Sequence, residues 1–468
     1  MAWRNPLTTL AVLGLTLVAL PACDPARPLA ADPLAARPGA HLVLVSVDTL
    51  RADHLGCYGY ERDTSPTLDR LAQQALLFED VTATSSSTAP SHMSMFSGVL
   101  PRVHGIKNAV THNQAPRVRL LAEILREQGY RTAAFADGGL VTAAAGFDRG
   151  FAQFDSRYEF FDDKLDRVQA WLDAAPDEPS FLFVHTYGVH APYIPTRAHD
   201  LFTDAQYSGR LAGREYVLET RLREGRFKSL ARLMDAFWEG RSRLDQADIQ
   251  QLVGLYDGAI HRVDAGLGRL IEMLERKGWL DDAWLVITSD HGEAFREHGT
   301  FEHRRVMQEE LAVPLLVRPP GGLPEGLRLS WPVTQLDLTP TCLAALGLPP
   351  EPGLQGRALW PLDAPTQRTR YASGGDGMVF DVVLEQGKKF ILRRGEPGAL
   401  YDLTADPGEQ TDLLSVDPAP PWRALLERRL AGAIEASAAL RVHFGDPQQG
   451  DAISDEQRSI LEALGYLR

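Results

Sequence analysis

The chain has 468 residues, room for two or three domains of roughly 150 residues or for one large α/β unit. Lys and Arg number 48 against 62 Asp and Glu, and the net charge of −14 argues against nucleic acid or an anionic lipid surface as an electrostatic partner. Hydrophobic residues at 44% exclude a wholly disordered chain, and three cysteines are too few for a disulfide scaffold.

At the N-terminus, Arg4 precedes an apolar run from Leu7 to Leu20, shorter than the ~20 residues of a spanning helix, which reads as a secretion signal. The run ends Leu20-Pro21-Ala22-Cys23 and resembles the lipobox of bacterial lipoproteins. That resemblance implies lipid on Cys23 and an exported protein tethered to the periplasmic side of a membrane or cell envelope. Residues 1–23 are thus the expected signal segment. Residues 24–40, rich in Pro and Ala and without apolar periodicity, are the expected linker. With Cys23 lipidated, Cys57 and Cys342 remain, either as a bridge or as two thiols.

Residues 41–47 form an almost continuous apolar run, the pattern of a strand covered on both faces in a parallel sheet, and Asp48 follows at its carboxyl end. The arrangement recurs at residues 181–184, followed by His185, and at 284–289, followed by Asp290 and His291. Another short strand is expected at 313–317. Helical patterns lie between, at 65–75, 117–128 and 251–276, the last two stopped by Gly129 and Gly278. Alternating strands and helices predict an open α/β sheet whose crevice lies beyond the carboxyl ends of the strands. Asp48, His185, Asp290 and His291 can converge there although distant in sequence.

Residues 196–247 mix charged residues with Leu, Tyr and Phe, as in a helical insertion beside that crevice or a solvated excursion. The texture changes after residue 353. Residues 380–383 and 389–393 flank Gln386-Gly387 and read as a hairpin, and 423–438 reads as a helix. The expected organisation is a main domain over 41–364 and a small α+β subdomain over 365–468.

Asp48 with the Asp290-His291 pair supplies two hard oxygen ligands and one imidazole, the makings of a site for one divalent metal ion. The hydroxyl-rich stretch from Thr84 to Thr88, followed by Pro90 and an apolar face, looks like a nucleophile-bearing turn entering a helix. There the free N–H groups and a nearby metal make a hydroxyl more acidic. The plainer alternative is that these residues only cap the helix.

Three words, Val47-Asp-Thr-Leu-Arg-Ala-Asp-His-Leu-Gly-Cys-Tyr-Gly59, Thr88-Ala-Pro-Ser-His92 and Thr288-Ser-Asp-His-Gly-Glu293, resemble the sulfatase family of the alkaline phosphatase superfamily in order and spacing. Further words at 184–193, 256–264, 297–303 and 400–407 extend the resemblance over about residues 41–413. It implies an α/β fold with a large, mixed, mostly parallel sheet flanked by helices and a small C-terminal α+β subdomain. It also implies Asp48, Asp290 and His291 as metal ligands and Thr88 as nucleophile. His190 and His303 would contact the leaving group or the transferred group. His185, at a strand end, and His92 follow as a second tier; His298, His261 and Asp257 fit the words but equally suit surface or supporting positions.

The departures are specific. Sulfatases carry Cys or Ser in a Cys/Ser-x-Pro-Ser-Arg motif that is oxidised to formylglycine, whereas this chain has Thr88-Ala-Pro-Ser-His92, and a secondary alcohol can give only a ketone. Thr49 stands for the second aspartate, His92 for the arginine, and the Gly-Lys-Trp-His-Leu-Gly word is absent from residues 130–151. His291 replaces an amide, which suits Mn, Zn or Fe better than Ca. The expected activity is metal-dependent hydrolysis of a sulfate, phosphate or phosphonate ester outside the cytoplasm, on a small molecule or a glycan or lipid ester. A phosphoryl head-group transferase and a non-catalytic carbohydrate- or lipid-binding lipoprotein remain the alternatives.

Overall fold

A computed structural model describes residues 32–107, 115–174, 178–213, 219–220, 223–224, 244–360, 362, 367–375, 377–416, 420–448, 453–464 and 466. The apolar run at 7–20, Cys23 and half of 196–247 lie outside the described residues; residues 201–213 within that last segment form turns and bends. Among the described residues no helix is long and apolar enough to cross a membrane. Cys57 and Cys342 are two thiols, not a bridge.

The main sheet draws on β1 (His41–Val47), β2 (Leu76–Thr82), β3 (Arg131–Phe135), β4 (Gln153–Asp155), β5 (Ser180–Thr186) and β6 (Ala283–Thr288). A two-stranded ribbon, β7 (Ala294–Phe295) with β8 (Phe301–Glu302), stands apart, and β9 (Leu315–Arg318) and β10 (Leu327–Thr334) return to the sheet. The order is β10-β2-β9-β6-β1-β5-β3-β4. β1 runs parallel to both β5 and β6, while β9 is antiparallel to both β6 and β2. The sheet is therefore mixed and mostly parallel.

The apolar run of β1 is continuous because both faces are covered. Leu42 and Leu44 join a core with Met93, Phe96 and Leu343 on one side, and Val43, Val45 and Val47 join Leu165, Leu255 and Leu267 on the other. The Thr88–Ser97 and Leu338–Ala345 helices supply the first side; the Phe161–Asp173 and Gln246–Arg276 helices supply the second.

The long helix begins before the expected residue 251. Asp245 accepts from Asp248 N at 2.9 Å while Asp248 accepts from Asp245 N at 3.0 Å, and this reciprocal cap satisfies donors that a helix start leaves open. Leu121–Glu127 begins later than expected, where Glu123 accepts from Leu120 N at 2.9 Å.

Beyond the main sheet, β11 (Arg370–Gly374), β12 (Phe380–Glu385), β13 (Lys388–Arg393) and β14 (Glu396–Asp402) form an antiparallel sheet. The β12–β13 turn has Gln386 at φ 53° and Gly387 at φ 71°, the left-handed pair a tight hairpin requires. Leu426 and Leu430 of the Arg423–Phe444 helix pack on Val383, Phe390 and Leu400 of this sheet. The chain then returns to the main sheet: the Asp455–Ala463 helix inserts Leu461 into the core shared with β1.

Candidate active site

Register brings the chemistry to one edge. Ser46 of β1 pairs with His185 of β5 and with Thr288 of β6, so Asp48 and Asp290, each two residues further on, leave the sheet side by side. Between them Thr49 takes φ 56°, a left-handed conformation costly for a β-branched residue, and donates its N–H to Asp290 Oδ1 at 3.1 Å. Asp290 Oδ1 also accepts from His291 N at 2.9 Å. Gly292 follows because a Cβ there would lie 2.0 Å from the Glu309 carbonyl oxygen.

Asp48, Asp290 and His291 each offer a ligand atom, all within 4.8 Å of one another and all buried. The donor set fits a divalent cation on three counts. Asp48 Oδ1 and Asp290 Oδ2 are buried and have no hydrogen-bond partner among the described residues. Burial pushes the Asp48 carboxyl well above the usual range, with Asp290 adding to the shift, while Asp290, against its own burial, is held well below that range by His291, His92 and His185, so Asp290 is the carboxylate that carries the charge. His291 Nδ1 donates to the Gly292 carbonyl at 2.9 Å, which leaves the Nε2 lone pair for a metal.

Thr88 is the first residue of the Thr88–Ser97 helix, and every residue of that helix is buried. Ser87 at its N-cap makes no side-chain cap bond, so the hydroxyl run does not serve as a simple cap. The Thr88 hydroxyl instead lies 3.3 Å from His291 Nε2 and 2.7 Å from the Tyr466 hydroxyl. Ser91, one turn on, donates to the Asp290 carbonyl at 2.6 Å. Buried Gln335 ties the pieces together, its amide donating to the Ser289 and Asp290 carbonyls and its oxygen accepting from Thr84 N at 2.8 Å.

The histidines surround this centre. His92 Nδ1 donates to the Thr88 carbonyl at 2.9 Å and its Nε2 meets the Ser46 hydroxyl at 2.9 Å, so it braces the helix start. His185 Nε2 lies 3.3 Å from Asp48 Oδ2. His303 lies tilted against His291 with ring centres 4.4 Å apart, and edge-on to His190 at 5.3 Å. Burial holds His291 and His190 down at about 4 and also lowers His92 and His185; neutral imidazoles with available lone pairs result. By contrast His298 bonds Glu309, His261 meets His199, and Asp257 holds His54, Tyr60 and Arg62; none of the three joins the cluster.

The sulfatase family model matches residues 40–348. The chain belongs to the sulfatase family. Among curated relatives of this sulfatase-family chain is the N-acetylglucosamine-6-O-sulfatase of Bacteroides thetaiotaomicron, 24% identical over 394 residues that cover 69% of this chain and 70% of that one. The choline-sulfatase of Rhizobium meliloti is 25% identical over 410 residues, 75% and 77% of the two chains. A phosphonate monoester hydrolase of Agrobacterium radiobacter shares the fold, with a TM-score of 0.65 at 19% identity over 88% of this chain and 100% of that one. So does a protein solved with its substrate D-glucosamine-2-N,6-O-disulfate, at a TM-score of 0.70 and 19% identity over 86% and 98%. These matches make the chain a hydrolase of the alkaline phosphatase superfamily with a candidate site for one divalent metal.

Besides Gln335, sequence reasoning missed three elements of this sulfatase-family site. Tyr466 reaches Thr88 across 378 residues of chain, and no local motif marks it. Lys164 is buried and pairs with Asp137 and with the His185 carbonyl, while Asp137 accepts from Tyr187 N at 2.7 Å. Glu293, inside the Thr288–Glu293 word, is buried with both oxygens lacking a hydrogen-bond partner among the described residues, and burial pushes it up to about 7.

Proposed function

We propose that this sulfatase-family protein hydrolyses a sulfate, phosphate or phosphonate ester through a covalent intermediate on Thr88, with a phosphorus ester preferred. The observation that carries the reading is the Thr88 hydroxyl, at the start of a buried helix and 3.3 Å from His291 Nε2, beside the candidate metal ligands Asp48 and Asp290. A threonine cannot become a formylglycine, so the aldehyde-hydrate route of sulfatases is closed, whereas a hydroxyl nucleophile suits in-line attack on phosphorus.

Asp48, Asp290 and His291 would hold the ion, Mn, Zn or Ca. When bound, it supplies charge stabilisation and lowers the pKa of groups beside it. Thr88 attacks, the N–H groups of Thr88 and Ala89, which have no partner one turn back, face developing negative charge, and His190 or His303 protonates the departing alkoxide. His92 and His185 orient Thr88 and Asp48. Water releases the product from Thr88.

The relatives' own substrates are consistent with an ester of a small molecule, a glycan or a lipid headgroup. The N-terminal run and Cys23 support an exported, lipid-anchored protein, with residues 24–40 as tether and 41–364 and 365–468 as the two parts of the folded chain. The test is turnover of aryl sulfate, phosphate, phosphodiester and phosphonate by wild type and Thr88→Ala, each loaded with Mn, Zn or Ca. Metal-dependent turnover of a phosphorus ester, lost in Thr88→Ala, supports the reading. Turnover surviving the substitution overturns the nucleophile.

A further inference from the structure

Tyr466 belongs to a tail that is fastened rather than draped. Ser454 caps the Asp455–Ala463 helix by accepting from Gln457 N at 3.1 Å. Ile460 and Leu464 pack on Tyr187, and Leu461 enters the main core. Tyr466 N then donates to the Leu461 carbonyl at 2.8 Å. The ring thus stands against His190 and His303, at centre distances of 5.5 and 5.8 Å, as a fixed wall of the site.

His190 Nδ1 lies 2.8 Å from the Ala191 carbonyl oxygen, which can only accept, so Nδ1 carries the ring proton and Nε2 carries a lone pair. The Tyr466 hydroxyl is 3.1 Å from that Nε2 and must donate to it. Its oxygen is then free to accept, and the Thr88 hydroxyl lies 2.7 Å away, closer than its 3.3 Å contact with His291 Nε2. The chain Thr88 O–H to Tyr466 O–H to His190 Nε2 runs one way, out of the nucleophile and into an unprotonated imidazole.

We propose that Tyr466 is a catalytic residue whose phenol relays the Thr88 proton to His190 as Thr88 attacks the ester; this rests on the reading of Thr88 as nucleophile. In the first half-reaction the Thr88 O–H bond breaks, its proton passes to the Tyr466 oxygen, and the Tyr466 proton passes to His190 Nε2. Thr88 Oγ1 bonds to phosphorus as the bond to the leaving alkoxide breaks. That alkoxide takes one proton, from His303 or by return from His190, and leaves as the alcohol. In the second half-reaction water gives a proton to the imidazole that protonated the alkoxide and attacks phosphorus, the Thr88–phosphorus bond breaks, and Thr88 regains its proton from His190 through the same chain run backwards. The relay gives His190 the role of base and leaves His303 as the group nearest the departing oxygen. A tail that merely blocked the site would need to leave it, and the buried Ile460, Leu461 and Leu464 hold it in place.

The test uses the full metal-loaded chain as wild type, Tyr466→Phe, His190→Gln, the double variant and Thr88→Ala, on whichever ester wild type turns over. Tyr466→Phe keeps the ring and removes the relay oxygen. Its kcat should fall ~100-fold or more with KM within about threefold, the scale of a lost proton transfer. His190→Gln should fall by a similar factor, and the double variant should be no slower than either single, because one relay is broken once. The metal dissociation constant and the affinity for inorganic phosphate should match wild type, which shows that Tyr466→Phe is folded with an intact site. Wild-type kcat in Tyr466→Phe while Thr88→Ala is dead overturns the relay and leaves the nucleophile standing. A faster Tyr466→Phe makes the tail an obstruction and overturns the relay as well. Multiplicative losses in the double variant separate Tyr466 from His190 and contradict the shared path. Thr88→Ala at wild-type rate, or no turnover of any ester by wild type, overturns the underlying reading and the relay with it.

Discussion

Replacing Lys164 by methionine removes the cation behind the catalytic edge. The Lys164 ammonium is buried and pairs with Asp137, itself 1% exposed, and with the carbonyl of His185, whose ring meets Asp48. Methionine fills the same space without charge, so the carboxylate of Asp137 is left buried and uncompensated. Breaking such a pair from one side costs about 3–5 kcal/mol. Asp137→Asn alone keeps an acceptor for Tyr187 N, now 2.7 Å away, but leaves the buried Lys164 ammonium without its counter-charge, so its cost should also lie on the scale of about 3–5 kcal/mol. The double variant should cost clearly less than the two singles summed, with a coupling energy of about 2–3 kcal/mol. Urea denaturation of the metal-free wild type, both singles and the double gives all four corners. Simple additivity, or a Lys164→Met cost below about 1 kcal/mol, would refute the claim that this buried pair holds the segment carrying His185 and His190.

Asp290→Asn keeps the oxygen that accepts from Thr49 N and His291 N but removes a charge; calorimetric titration should show metal affinity down by more than ~100-fold. Unchanged metal affinity would contradict the ligand set. Gly292→Ala pushes a methyl to 2.0 Å from the Glu309 carbonyl, and thermal unfolding should report a loss of about 1–3 kcal/mol. Buried His104 is held down at about 3 by burial. Its unfolded value is near 6.5, so its stabilising contribution is complete above that pH and is lost as pH falls. The loss comes to about 2 kcal/mol by pH 5. The stability difference between wild type and His104→Gln should therefore move by that amount, against wild type, between pH 7.5 and 5, and a pH-independent difference would refute the assignment.

The parts of the fold and site legible in the sequence share one cause. β1, β5 and β6 are buried on both faces, so each is an unbroken apolar run, and its polar end marks the crevice; Asp48, His185, Asp290 and His291 could be placed together from that alone. Thr88 was legible as a hydroxyl entering a helix. The antiparallel course of β9 was not, because an apolar run carries no direction. The start of the long helix was recoverable from Asp245 and Asp248, a cap spaced three residues apart. Tyr466, Gln335 and the Lys164–Asp137 pair left no local signal, since each acquires its role from a partner on another element. A tyrosine near the end of a chain looks the same whether or not a helix carries it to a nucleophile.

The central claim is that Thr88 forms the covalent intermediate in a metal-dependent reaction, and acid-quench mass spectrometry tests it most directly. Wild type loaded with Mn or Zn is mixed with an aryl phosphonate or phosphodiester, quenched within one turnover, digested and sequenced. The account predicts the substrate's phosphorus group on the peptide carrying Thr88, absent after chelation and absent in Thr88→Ala. Turnover with an unmodified Thr88, or the same adduct on another residue in Thr88→Ala, would contradict it.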